Sequence, residues 1–341
     1  MGRRCAQVDP AVGNEPGMIT AADAIGEYQP QDWHLDPRKH AQRMAREAGQ
    51  LQRILQGSRV QVILDQYEAA NAQAGKYQAH YKNYGRLEIY FGSVAAIIGA
   101  VILYLTSGDD GSVPDLLRTV LLLAQGFCLA AAVALKYKLG HSAVYRQWQQ
   151  QRTRAETSRI ELFEAVCGPA DSPVAPSVSE NELPLLPLQL EYFLRYQLQV
   201  QLNYYHERGR QHADAARRFV NIGTGITFLA AVAASLAGLG TELGDWISSA
   251  AIVGLVAPIL LAAQSSLSRL NQDERNAARY AITYDHLMNL KKKSDSVRRA
   301  AEAGKQDEVF RFIRSVNEVI SVEHTEWKER LASDDEPGTN A

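Results

Sequence analysis

Four stretches of the chain carry no charged side chain: Ile89 to Leu105, Thr119 to Leu135, Phe219 to Thr241 and Trp246 to Ser268. They run for 17, 17, 23 and 23 residues. A bilayer core of about 30 Å is crossed by roughly 17–25 helical residues, so all four predict membrane-spanning helices. The turns TSGDDGSVPD and GLGTELGD join them in pairs, which predicts two hairpins. The competing reading is a soluble bundle, which would need four central helices that are apolar all round.

Outside the spans the pattern changes to amphipathic spacing. Val60, Ile63, Tyr67, Ala70, Ala74, Tyr77, Tyr81 and Tyr84 step by three and four residues into the first span, a heptad seam. Behind the second span, Tyr137, His141, Val144, Trp148, Gln151 and Ala155 keep similar spacing. The layout then recurs. Leu198, Leu202, Tyr205, Gly209, His212, Ala216 and Phe219 lead into span three; Leu267, Leu270, Glu274, Ala277, Ala281, Tyr284 and Met288 lead away from span four. Spans one and three begin 130 residues apart, which reads as an internal duplication of helix, span, turn, span and helix. A last helix over 305–331 carries the stripe Val309, Ile313, Val316, Ile320, His324, Trp327 and Leu331.

The expected organisation is an irregular segment over 1–35, a first module over 36–167, a Pro-rich linker over 168–184, a second module over 185–331 and a disordered tail over 332–341. The fold class is all-α: an integral membrane protein with four transmembrane helices in two hairpins. Long cytoplasmic helices continue each hairpin and form antiparallel coiled-coil-like stalks.

Charge placement sets the orientation. Lys76, Lys82 and Arg86 precede the first hairpin, and Lys136, Lys138, Arg146, Arg152 and Arg154 follow it. Arg208, Arg210, Arg217 and Arg218 precede the second, and Arg269, Arg275 and Arg279 follow it. The turns hold the acids Asp109, Asp110, Asp115, Glu242 and Asp245 and no base. Lys/Arg excess marks the cytoplasmic side, so both termini are expected there. Arg118, at the start of span two, is the exception and is expected to snorkel outward. MGRRCAQVDP lacks an apolar run after its bases and does not read as a signal peptide. Gly2 and Cys5 suggest lipidation, but Ala6 breaks the myristoylation pattern. Overall, 36 Lys+Arg against 38 Asp+Glu leaves a formal charge of −2, so no nucleic-acid partner is expected.

Catalytic chemistry finds little support. Three scattered cysteines exclude a disulfide scaffold and a CxxC site. No phosphate-binding loop, dinucleotide fingerprint, nucleophile elbow or HExxH pattern occurs. The histidines lack metal spacing, and His141, His212 and His324 fall on packing stripes. The chain is expected to be no enzyme and to hold no metal or cofactor. Polar groups inside the spans are more informative. Arg118 and Gln125 share one face of span two, and Asn221, Thr224 and Ser235 share one face of span three. Two readings fit them: lining of an aqueous path in a homo-oligomer, or hydrogen bonding between helices. Gly254 and Pro258 form a candidate hinge in span four.

Several softer markers accompany this layout. They are Tyr77, Tyr81 and Tyr84 before the first span, and Trp148 with Arg154 to Glu156 after the first pair. Asn271 to Tyr280 (NQDERNAARY) and Glu323 to Trp327 follow the second pair. From Leu35 to Leu331 the chain resembles the SLATT family, SMODS- and SLOG-associated two-transmembrane effectors of prokaryotes, in the form of two such modules in tandem. The resemblance implies a pore-forming or membrane-perturbing effector of an antiviral conflict system, acting in the inner membrane. It also implies triggering in trans by a nucleotide-signalling or sensor partner. The alternative is a non-conducting membrane-anchored scaffold whose cytoplasmic helices recruit a soluble partner.

Overall fold

The structure, a computed structural model, describes residues 19–106, 114–141, 143–169, 181–238 and 248–334. Gly2, Cys5, most of the linker, the tail from 335 and every turn acid except Asp115 lie outside these residues. Three short helices come first: α1 (Ala21–Ile25), α2 (Pro37–Arg43) and α3 (Gly49–Leu55), with 3-10 turns at Pro30–Trp33 and Arg46–Ala48 between them. The rod α4 (Ser58–Thr106) is 49 residues long. Next come α5 (Asp115–His141) and α6 (Val144–Cys167), both packed along α4. The second half holds α7 (Leu185–Phe193), a π-helical turn (Leu194–Gln199), α8 (Val200–Gly238), α9 (Ser248–Asn271), α10 (Asp273–Lys291), α11 (Ser294–Glu302) and α12 (Gln306–Asp334). Every regular element among the described residues is helical. Four helices are long and apolar enough to cross a membrane, within α4, α5, α8 and α9.

The seam of α4 packs as its spacing predicts. All eight positions from Val60 to Tyr84 are buried or half-buried, while neighbours such as Val62, Glu68 and Asn71 are exposed. Tyr81 meets Tyr145 and Trp148 of α6 at ring-centre distances of 5.1 and 5.9 Å. The α8 side of the second module also follows the predicted stripe, from Leu202 to Phe219. Its α10 side follows it in part: Leu267, Leu270, Ala277, Tyr284 and Met288 are half-buried, whereas Glu274 and Ala281 are exposed and Asp273, Tyr280, Thr283 and Leu287 also turn inward. The cause is local: Gln272 leaves the helical backbone (φ 52°), which offsets α10 from α9. Val309, Ile313, Val316 and Ile320 of α12 are buried, and the side chains of His324, Trp327 and Leu331 lie outside those described.

Away from the spans these elements form a head around one apolar core. Leu51, Leu55, Leu162, Phe163, Leu188, Phe193, Val309 and Ile320 belong to it. Residues 19–35, expected to be irregular, contribute Ala24, Ile25 and Leu35 to this core. Thr20 and Asp23 form a reciprocal cap that starts α1, and Ala24 and Ile25 are then almost fully buried. A five-residue helix is too short to show a period, so the apolar pattern does not reveal it. The end of the linker is tied down as well: Leu183 N–H donates to the Glu47 carbonyl (2.9 Å), and Arg53 holds Glu182 through two bonds of 2.8 and 2.9 Å.

The π turn is the hub of the head. Its side chains from Leu194 to Leu198 are all buried, an arrangement a helix adopts only where protein surrounds it. Arg195 Nε donates to Asp32 (2.8 Å) and its Nη1 to the Ile25 carbonyl (2.5 Å). Arg43 also reaches Asp32, at 3.2 Å. Gln197 accepts from Arg159 of α6 (3.0 Å), and Gln199 accepts from Lys291 of α10 (2.6 Å). His40 stacks on Tyr196 with ring centres 3.8 Å apart. The His40 Nε2 position faces the His34 carbonyl (3.2 Å), which assigns the proton there, so Nδ1 accepts from the Tyr192 hydroxyl (3.0 Å).

Burial pushes His40 down to about 4, against the opposing pull of the His34 carbonyl and the Asp32 and Asp36 carboxylates. The unfolded chain then binds the proton first as pH falls. Head stability is full above the ordinary histidine range and should drop by about 3 kcal/mol between roughly pH 6.5 and 4. Chemical denaturation of the detergent-solubilised protein at several pH values measures this, and His40→Phe should flatten that part of the profile. Asp32→Ala strands the buried Arg195 and should cost about 3–5 kcal/mol in the same assay.

Candidate functional site: the spans and their foot

The spans are where lipid physics constrains the side chains. In the most apolar 18-residue window of each of the four helices, at most 6% of the residues are buried by the rest of the chain. Leu123, Phe127, Val133 and Phe228 point outward. The buried side chains of these segments are small, Ala95, Cys128, Ala233 and Ala257, which lets the helix backbones approach. Such a surface suits hydrocarbon or another apolar helix rather than water.

The predicted polar residues divide into two groups. Gln125 is half-buried and lies against α4: a methyl group built on Gly99 would stand 2.7 Å from its amide nitrogen. It therefore belongs to helix packing inside hairpin one. Arg118, Asn221, Thr224 and Ser235 face away from the rest of the chain. The Thr224 and Ser235 hydroxyls donate to the Val220 and Ala231 carbonyls of their own helix, at 3.0 and 2.9 Å. Arg118 and Gln125 thus share a helix face by wheel angle but differ in environment. The helix α9 runs on through Gly254 and Pro258, and its interruption comes later, at Gln272.

Hairpin two contains a contact that sequence reading missed. Gln264 of α9 donates its side-chain amide to the Phe219 carbonyl of α8. A methyl group on Gly223 would stand 3.0 Å from that nitrogen. Both hairpins therefore set a glutamine against a glycine of the neighbouring helix. The available signal was a lone amide in the fourth uncharged stretch.

At the foot of the spans the two hairpins meet through α4 and α9. Gly85 is buried there, and a methyl group on it would lie 2.7 Å from Leu270. The chain then turns at Gln272, whose φ of 52° is the one positive value at a non-glycine among the described residues. Asp273 follows at the first position of α10, with its side chain 6% exposed. His212 Nδ1 of α8 donates to Asp273 Oδ1 at 2.7 Å. Asp273 Oδ2 is buried and has no hydrogen-bond partner among the described residues. Burial lowers the Lys82 ammonium below the lysine range, with Arg86 and Arg208 adding to the shift and Asp273 opposing it. Among the described residues, no group of three His, Cys, Asp or Glu stands where it could hold a metal.

The family described as SMODS and SLOG-associating 2TM effector domain 1 (SLATT_1) matches residues 193–327. Over that region the chain matches a SLATT domain. The match opens at the π turn, takes in both spans of hairpin two and ends in α12. Its two-transmembrane description agrees with α8 and α9, and α4 and α5 lie outside it. The protein is thus a multi-pass membrane protein with a two-transmembrane effector domain, to which the first half adds a second hairpin. No curated protein and no solved structure matches the chain.

If Gln264 fastens the SLATT hairpin, Gln264→Leu should loosen it by about 1 kcal/mol in an SDS-denaturation series. Gly223→Leu should cost more, because it displaces the amide and separates the helices.

Proposed function

We propose that the protein is a non-enzymatic effector of a prokaryotic antiviral conflict system. It acts in the inner membrane as a homo-oligomer with both termini cytoplasmic. A partner that makes or senses a nucleotide signal engages the head in trans, and the spans then open a conducting path or otherwise breach the bilayer. The observation that carries this reading is the outward-facing polar edge of α8 in a domain of an effector family.

Physical chemistry makes that edge informative. Arg118 stands at the end of its span, where its long side chain reaches the headgroups. Thr224 and Ser235 already satisfy their hydroxyl protons within the helix. Asn221 is exposed within the third uncharged stretch and bears an amide with two donors and an acceptor. In hydrocarbon such a group is costly, and a neighbouring copy or a water-filled path relieves the cost. The bases at the foot of both hairpins support the orientation, since they favour the cytoplasmic leaflet.

Reconstitution into dye-loaded vesicles tests the proposal, with candidate cyclic nucleotides and partner proteins added in turn. The expected result is triggered leakage that Asn221→Leu reduces at least tenfold while the variant still inserts. Absence of leakage under every condition would leave a non-conducting scaffold. Labelling of the head in inside-out but not right-side-out membrane vesicles checks the orientation.

A further inference from the structure

We infer that His212 and Asp273 form a latch across a hinge at Gln272, fixing the stalk helix α10 to α8 at the foot of the fourth span. Three independent features meet at this place. The first is the backbone. Gln272 sits in the left-handed region, which disfavours residues other than glycine, and so interrupts what would otherwise be one helix from Ser248 to Lys291. Residues that absorb such dihedral changes at helix ends are where packed elements pivot.

The second feature is the carboxylate just beyond the pivot. Asp273 is buried, uses Oδ1 on His212 and leaves Oδ2 without a partner among the described residues. A buried carboxylate with half its acceptor capacity unused is poorly solvated, so its bond to His212 is costly to break and leaves a charge stranded in place. Lys82 of α4 lies close enough to interact with the Asp273 carboxylate, and Arg86 and Arg208 lie close to Lys82 in turn. Tyr280 of α10 packs its ring 5.6 Å from the His212 ring.

The third feature is the coupling between hairpins. Leu270, two residues before the pivot, packs on Gly85 of α4. A swing of α10 about Gln272 therefore acts next to the contact that joins the SLATT hairpin to the first hairpin. With the latch closed, α8 and α10 move as one limb; with it open, α10 pivots while α9 stays in the membrane. In the effector reading above, this is the step between engagement of the head and movement of the spans, and the inference rests on that reading for its purpose only.

Spin labels test the latch apart from any leakage. Exposed Ser266 of α9 and Ile282 of α10 are replaced by labelled cysteines in a full chain whose three native cysteines are alanine, reconstituted in vesicles. The parent should give one narrow distance distribution. Asp273→Asn and His212→Gln should each widen it at least twofold, and the double variant should be no wider than either single one. Glu274→Gln, an exposed acid on the same turn, should leave it unchanged. Gln272→Gly keeps both latch residues and should also stay narrow. Unchanged widths in Asp273→Asn and His212→Gln overturn the latch, as does equal widening in Gln272→Gly. If one latch variant fails to insert, the other decides. Wider distances with unaltered triggered leakage sustain the latch and count against the conducting reading.

Discussion

Burial of one stretch of helix on every side organises the head outside the membrane. From Leu194 to Leu198 every side chain is buried, and each direction around the π turn is filled by a different part of the chain. The N-terminal helices arrive through Asp32 and Ile25, α6 through Arg159, and α10 through Lys291. A π turn carries one residue more than the α-helix it interrupts, which re-aims side chains over a short length. The polar members of this turn depend on it most, since a guanidinium as buried as that of Arg195 is tolerable only with Asp32 and the Ile25 carbonyl in reach. The SLATT match begins within this neighbourhood, so residues outside the domain supply part of its footing.

The spans were legible because lipid imposes long uncharged runs, and the α4 seam was legible because one face of a rod repeats without interruption. The pattern slipped where α9 gives way to α10. Gln272 gives no compositional warning, yet its backbone turn moves Glu274 out and Asp273 in. The N-terminal helices were hidden for another reason. They are too short for a period, and Asp32 meets Arg195 across 163 residues of chain, a distance over which local pattern carries no information. Polar residues in the spans were found by type but not by environment. Wheel angles group Arg118 with Gln125, and only packing against Gly99 separates them.

The two halves are alike in layout and unlike in detail. Each sends one helix up and another back, and each uses a glutamine facing a glycine. Hairpin one does this with Gly99 and Gln125, near the middle of its spans. Hairpin two does it with Gly223 and Gln264, near the foot. The first hairpin thus clasps near mid-membrane and the second at its base. Only the second lies in the matched region, and α4 forms the bridge by packing on α5, α6 and α9.

The unbroken length of α4 has a mechanical consequence. Forty-nine residues in one helix make a rod of roughly 74 Å. It is rooted in the head through Val60 and Leu64 and passes Leu270 at Gly85, about half-way along. Were α4 to pivot with its partners on that contact, it would act as a lever with Leu270 as fulcrum. Tilting it by about 5° would displace each end by roughly 3 Å, in opposite senses, given a rise of 1.5 Å per residue. In such a tilt, a small repacking among head side chains would reach the far end of the span at comparable amplitude, without any helix having to melt.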